Sequence, residues 1–221
     1  MKTKINLLFL TLLIGYSSAY AEEADWNGLR KDSYLTVGYQ LLAAAAIYYM
    51  PQDISGWEDK DKNIDYRISQ YKKNIRYLRW DTDTCLVNCV GHPYFGAAYY
   101  VVARQRNFDR WESFTYAFTM SAIFEYGVEA FFEKPSIQDL IITPVGGMLV
   151  GEYFYKYRKQ LKREIAERGA SRWWESSTLF LTDPIGSLNR QIYSAFGVKT
   201  ETMFVPVISK NNAQFNLLVR W

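Results

Sequence analysis

Apolar residues come in blocks along this chain that are too long for strands and too dense for helices with one wet face. The first, "DSYLTVGYQLLAAAAIYYM", predicts a helix over Asp32 to Met50, with Asp32 or Ser33 as cap, Pro51 as stop and Gln40 as its single strongly polar interior group. A helix apolar on every side is either central in a core or embedded in a membrane. Residues 52–84 alternate charges with scattered Ile, Tyr and Trp and read as an exposed connector, with one amphipathic helix over 64–78. The second long helix begins at Pro93, proline at its first position and His92 beside the cap, and runs to about Arg106. "WESFTYAFTMSAIFEYGVEAFF" predicts a third from Trp111 to Phe132, apolar except for Glu112, Glu125 and Glu129. The fourth opens at "PSIQD", where Ser136 and Asp139 have capping-box spacing, and ends at Gly169, with a kink expected at Pro144.

A shorter helix is predicted over "NRQIYSAF", after a turn at "TDPIGSLN". "MFVPVI" and "AQFNLLVRW" then carry strand signals around the turn-prone "SKNNA". The last run alternates like the terminal strand of an outer-membrane barrel, but one hairpin closes no barrel, and a hairpin covering the helical core is the expectation. The predicted fold class is mainly α, a compact bundle of four to five helices with a short C-terminal β-hairpin. Its segments are a signal peptide over 1–21, a helical domain over 22–200 and the hairpin over 201–221.

The signal peptide rests on Lys2 and Lys4, the apolar run Ile5 to Ile14, and Ala19-Tyr20-Ala21 before an acidic stretch. Export changes the reading of the two cysteines. Cys85 and Cys89 are a disulfide candidate in an oxidising compartment, and a bridge four residues apart requires a turn rather than regular helix. The expected location is the periplasm or the outer-membrane periphery, with an integral membrane bundle as the alternative. Residues 33–50, 113–132 and 137–155 approach spanning length, yet Glu125, Glu129, Asp139 and Glu152 would each cost about 2.5 to 3.5 kcal/mol in mid-bilayer.

A formal charge of +3 supports no strong field, and aromatics at 17% with no binding motif leave nucleic acid out. G-x-S-x-G, H-E-x-x-H, P-loop and dinucleotide signatures are missing, and neither a metal nor a cofactor is expected. Candidate chemistry lies in His92, the sole histidine, and in Glu125, an acid on the strip of Phe114, Phe118, Ser121 and Phe132. Glu129 is its neighbour one turn on, and Asp139 is either a cap or a functional carboxylate. Buried acids need a partner or a raised pKa, so Glu125 either meets Arg104, Arg106 or a backbone amide, or works. Thr143, Gly147 and Gly151 form a small-residue strip that allows close helix approach or leaves room beside a ligand. Lys156, Arg158, Lys159, Lys162, Arg163 and Arg168 either complement the helix dipole or meet anionic headgroups.

"GHPYFGAAYYVVARQRNFDRWESFTYAF", "EYGVEAFFEKPSIQDLIITPVGGMLVGE", "LTDPIGSLNR" and the earlier "MPQDISGW" resemble the bacterial envelope family catalogued as domain of unknown function 3943, over about residues 33–195. The resemblance implies an exported, mainly helical envelope protein and supplies no reaction. A looser likeness to VanZ-like small envelope proteins implies that His92, Glu125 and Asp139 converge between three helices, with Ser136 and Gly147 nearby. Two functions follow as expectations. One is a non-enzymatic protein associated with membrane lipid or an envelope partner. The other is a hydrolase or transferase on an envelope lipid or glycan, with His92 as acid or base, Glu125 and Asp139 beside it, and Glu129, Ser136 and Gly147 toward the substrate.

Overall fold

A computed structural model describes residues 23–57, 60, 62–80 and 84–197, with the side chains of 53 and 54 excepted, and the backbone alone of 202–209 and 212–219. Eight α-helices follow one another: α1 (Trp26–Tyr49), α2 (Gln52–Ser55), α3 (Ile64–Asn74), α4 (His92–Gln105), α5 (Arg110–Gly127), α6 (Ile137–Arg168), α7 (Trp173–Leu181) and α8 (Pro184–Ala195). α2 is a single turn, so seven helices of substance form the body. One expectation about fold class is thereby corrected, since the helices number seven rather than four or five, and among the residues described with their side chains no strand and no hairpin occurs. The hairpin expected over 201–221 and the signal peptide over 1–21 both fall outside the residues described with their side chains.

The extra helices come from caps that the sequence carries. Asp25 accepts the Gly28 amide at 2.8 Å and starts α1 six residues ahead of Asp32. Asp183 accepts the Gly186 amide at 2.9 Å with Pro184 at the first helical position, so "TDPIGSLN" opens α8 instead of making a turn. α7 occupies "WWESSTLFL", where no helix was expected, and Glu175 accepts the Arg172 amide at 2.7 Å to begin it. The third predicted helix stops at Gly127, and Glu129–Phe131 form a 3₁₀ turn whose Ala130 carbonyl is taken by Asn74 Nδ2 at 3.0 Å.

α4 is the central helix, with a run from Gly96 to Ala103 entirely buried. Its contact with α6 is backbone on backbone. A Cβ on Gly147 would lie 2.5 Å from Gly96 C, and one on Gly96 would lie 1.8 Å from the Thr143 carbonyl oxygen, so only glycine fits either position. Around this seam Leu29, Tyr99, Tyr100, Phe108, Met120 and Ile185 form the main apolar core.

The connector is less exposed than its charges suggest. Trp57 is 1% exposed and stacks on Phe132 at 3.9 Å between centroids, Tyr71 stacks on Phe131 at 4.5 Å, and the Arg79 carbonyl accepts the Ile137 amide at 2.9 Å. Aromatic contacts therefore hold Trp57 and Tyr71 against Phe131 and Phe132, and a backbone bond ties Arg79 to the start of α6.

The polarity of several helices is reversed. On α1 the polar Asp32, Thr36 and Gln40 are buried, while Tyr34, Leu41, Leu42 and Tyr49 are exposed. α6 repeats the pattern, with Asp139 and Thr143 buried and Ile141, Val145, Leu149 and Tyr153 exposed.

Candidate functional site

His92 reaches its place through the turn before it. A π-helical stretch, Leu86–Gly91, widens the chain between Cys85 and Cys89, whose Cα atoms are 4.9 Å apart and whose sulfurs are joined. α4 then starts at His92, with Pro93 fixing the following φ. The imidazole Nε2 lies 3.3 Å from Asp139 Oδ1, and Nδ1 lies 3.2 Å from Thr143 Oγ1. Asp139 and Thr143 stand one turn apart on α6, so a single face of that helix holds both ring nitrogens.

Glu125, in the last turn of α5, is 1% exposed and accepts the Ser136 amide on Oε2 at 2.8 Å. Ser136 in turn caps α6, its hydroxyl accepting the Asp139 amide at 3.1 Å. Of the partners open to Glu125 in the sequence, the backbone amide is the one it meets. Burial pushes its carboxyl up to about 7, against the lowering effect of the Ser136 amide and with the Asp139 charge adding to the rise. Glu129 follows in the 3₁₀ turn and is hydrogen-bonded to Glu125. Burial first, and the Glu125 charge second, hold its carboxyl well above the ordinary carboxylate range.

These groups border a cavity of about 490 Å³, within the size range of small-molecule sites. His92, Glu125, Glu129, Thr143, Gln40 and Tyr99 supply its polar wall, and side chains of α1, α4, α5 and α8 such as Ile47, Phe95, Phe124 and Leu188 the apolar one. Gln40 Nε2 donates to the Met120 carbonyl at 2.8 Å and to Tyr99 Oη at 3.2 Å. Tyr99 is buried, which pushes its hydroxyl up to about 12, so it stays a neutral hydrogen-bonding group at physiological pH.

His92, Glu125 and Glu129 therefore line one cavity, Asp139 stands behind His92, and Ser136 joins Glu125 to Asp139. Gly147 lies against the Gly96 backbone in the α4–α6 seam. Of the two acids expected beside His92, the carboxylate placed against it is Asp139, while Glu125 accepts the Ser136 amide. Thr143, Tyr99 and Gln40 were not singled out for chemistry. Thr143 stood in the small-residue strip, although its spacing of four from Asp139 already put it on the same face. Among the described residues no group of three or more His, Cys, Asp or Glu side chains is arranged to hold a metal ion.

The basic run of α6 divides. Arg158 is wholly buried, with Nη2 on Asp183 at 2.9 Å and Nη1 on Thr182 Oγ1 at 2.9 Å, and Arg168 pairs with Glu175 at 2.5 Å. Lys156, Lys159 and Arg163 remain on the outside.

Residues 77–185 match the family described as Domain of unknown function (DUF3943), a narrower stretch than the 33–195 of the resemblance read from the sequence. No curated protein and no solved structure matches the chain. The matched stretch contains His92, Glu125, Glu129, Ser136, Asp139 and Thr143, while Gln40 comes from α1, ahead of it.

Proposed function

This chain carries a DUF3943 domain, and from that premise we propose that it is an exported, non-enzymatic helical protein that associates with a lipid surface. The observation that carries the reading is the outer face of α6. Ile141, Val145, Leu149 and Tyr153, four residues apart, are 54%, 46%, 72% and 66% exposed. An apolar stripe of this length on the outside of a helix, followed by outward Lys156, Lys159 and Arg163, has the amphipathic order of a surface-bound membrane helix. Each cation near an anionic headgroup surface contributes roughly 1 kcal/mol. Among the described residues no helix is long and apolar enough to cross a membrane, and attachment at the interface requires none to be.

Export is supported by the N-terminal pattern and by the Cys85–Cys89 bond, since disulfides persist chiefly outside reducing compartments. Cell fractionation of the native chain tests it, and recovery in the cytosol would refute it. Surface association is tested by flotation with phosphatidylcholine vesicles, with and without phosphatidylglycerol. The native chain is expected to float, more strongly with the anionic lipid at low salt. The Leu149→Glu/Tyr153→Glu double variant should lose at least tenfold in bound fraction while keeping its helical circular dichroism. A native chain that stays at the bottom of the gradient with both lipids sinks the reading.

A further inference from the structure

The cavity carries a second inference that is independent of the outer face. Gln40 is 3% exposed, lines the cavity, and its Oε1 has no hydrogen-bond partner. The orientation of the amide is fixed by chemistry, because the Met120 carbonyl can only accept, so the nitrogen must face it and the oxygen must face away. A buried acceptor left without a donor costs about 1 to 3 kcal/mol, which a ligand bearing N–H or O–H groups would recover.

The same wall holds Glu125 and Glu129. Glu125 accepts the Ser136 amide and shares a hydrogen bond with Glu129. Among the described residues neither meets a Lys or Arg side chain at ion-pair distance, whereas Glu133, one turn further on, is paired with Arg79. Tyr99 links the two parts of the wall: its hydroxyl bonds Gln40 Nε2, and it lies close enough to Glu125 to feel its charge. The cavity wall thus offers a free acceptor and an acid pair with no cation directly on it, Glu129 reaching Arg79 only through Glu133. The rest, around Ile47, Phe95, Phe124 and Leu188, is apolar. An anionic head, such as a fatty carboxylate, would bring one more negative charge to acids whose ionisation burial already disfavours, and an uncharged head would satisfy Gln40 alone.

We propose that this cavity binds a single-chain amphiphile through a primary ammonium head, with Gln40 Oε1 and the Glu125–Glu129 pair as acceptors and the chain along the apolar wall. A primary ammonium supplies three N–H donors for the free acceptor and the two acids, and its positive charge favours the ionised form that burial alone disfavours. A quaternary ammonium carries the charge without the donors, and an alcohol carries a donor without the charge.

Calorimetric titration of the full chain, with every probe below its micelle concentration, separates these heads. The probes are dodecylamine, dodecyltrimethylammonium, dodecanol and dodecanoate. Lysophosphatidylethanolamine distinguishes a lipid source of the ammonium from a free amine. Dodecylamine is expected to bind at least tenfold more tightly than dodecyltrimethylammonium or dodecanol, with dodecanoate weakest. Glu129→Gln, which keeps the shape and hydrogen-bonding capacity, should remove about tenfold of the preference for dodecylamine over dodecanol. Gln40→Leu should lower dodecylamine affinity and leave dodecyltrimethylammonium unchanged. If Gln40→Leu fails to fold, Glu129→Gln alone decides. Equal affinity for all heads, tightest binding of dodecanoate, or no binding of any probe would each overturn the proposal, the last meaning that solvent serves Gln40 Oε1. The vesicle result stands or falls separately, because no residue of the outer stripe lines the cavity.

Discussion

Arg158 and Asp183 form an ion pair at 2.9 Å in which neither side chain has any solvent exposure. Asp183 also caps α8, and Thr182 Oγ1 takes a second Arg158 nitrogen. Arg190 also reaches Asp183, at 3.2 Å, so Arg158→Met leaves that carboxylate with one of its two arginines and should cost about 1 to 3 kcal/mol. Urea denaturation followed by circular dichroism reads this as a lower midpoint with unchanged slope. Asp183→Leu takes the carboxylate from both arginines and the cap from α8, and should cost more, about 3 to 5 kcal/mol.

Two glycines on different helices predict opposite signs. Gly147→Ala drives a methyl into the Gly96 backbone, 2.5 Å away, and should cost about 1 to 3 kcal/mol as α4 and α6 separate. A Cβ at Gly38 in α1 meets nothing within 4 Å, and Gly38→Ala should stabilise by about 0.5 to 1 kcal/mol through helix propensity. Thermal melts of the two variants side by side check both.

The acid pair gives a pH dependence with a definite direction. Burial raises the folded-state pKa of Glu125 to about 7, so in the window between its ordinary value of 4.5 and about 7 the folded protein holds more protons than the unfolded chain. Stability attributable to this group is therefore present below that window and is lost as pH rises through it. Glu129, raised in the same direction, extends the loss upward in pH. Glu125→Gln keeps an acceptor for the Ser136 amide and removes the titration. Its melting temperature should match or trail the native one at pH 5 and exceed it at pH 8. A native-minus-variant difference that grows in the opposite direction would show that the carboxyl is not held protonated.

Cys85 and Cys89 close a very short loop, so their bond constrains the unfolded chain by only about 2 kcal/mol. Cys85→Ser/Cys89→Ser should lower the melting temperature modestly, and the native chain should take up no maleimide until it is reduced. Immediate labelling of the unreduced native chain would contradict the bond.

What the sequence disclosed about the fold was carried by long apolar periods and by caps. α4 and α6 were legible because Pro93 and the Ser136-x-x-Asp139 spacing mark their starts, and the Gly147–Gly151 strip anticipated a close seam. α7 and the early part of α8 were not, because their capping groups, Glu175 and Asp183, read locally as loop residues. Asp32 shows the same limit from the other side. It looks like a cap, and it is instead a buried acceptor for Arg106 Nε at 2.7 Å, Asn189 Nδ2 at 2.8 Å and Tyr193 Oη at 2.8 Å. For the site, acids on an apolar strip were a sufficient signal for Glu125. The pairing of His92 with Asp139 depends on how α4 crosses α6, which no spacing within one helix encodes.

The Asp32 junction also bears on the order in which the chain acquires its structure. Its partners lie 74, 157 and 161 residues downstream. A chain released N-terminus first can fold α1 and offer Arg106 to that carboxylate before Asn189 and Tyr193 are within reach. Until α8 arrives, the junction between the two ends of the domain holds a charge with only part of its hydrogen bonds. Cooperative closure of this junction is thereby deferred to the last helix, a long-range step in a bundle whose helices otherwise form locally.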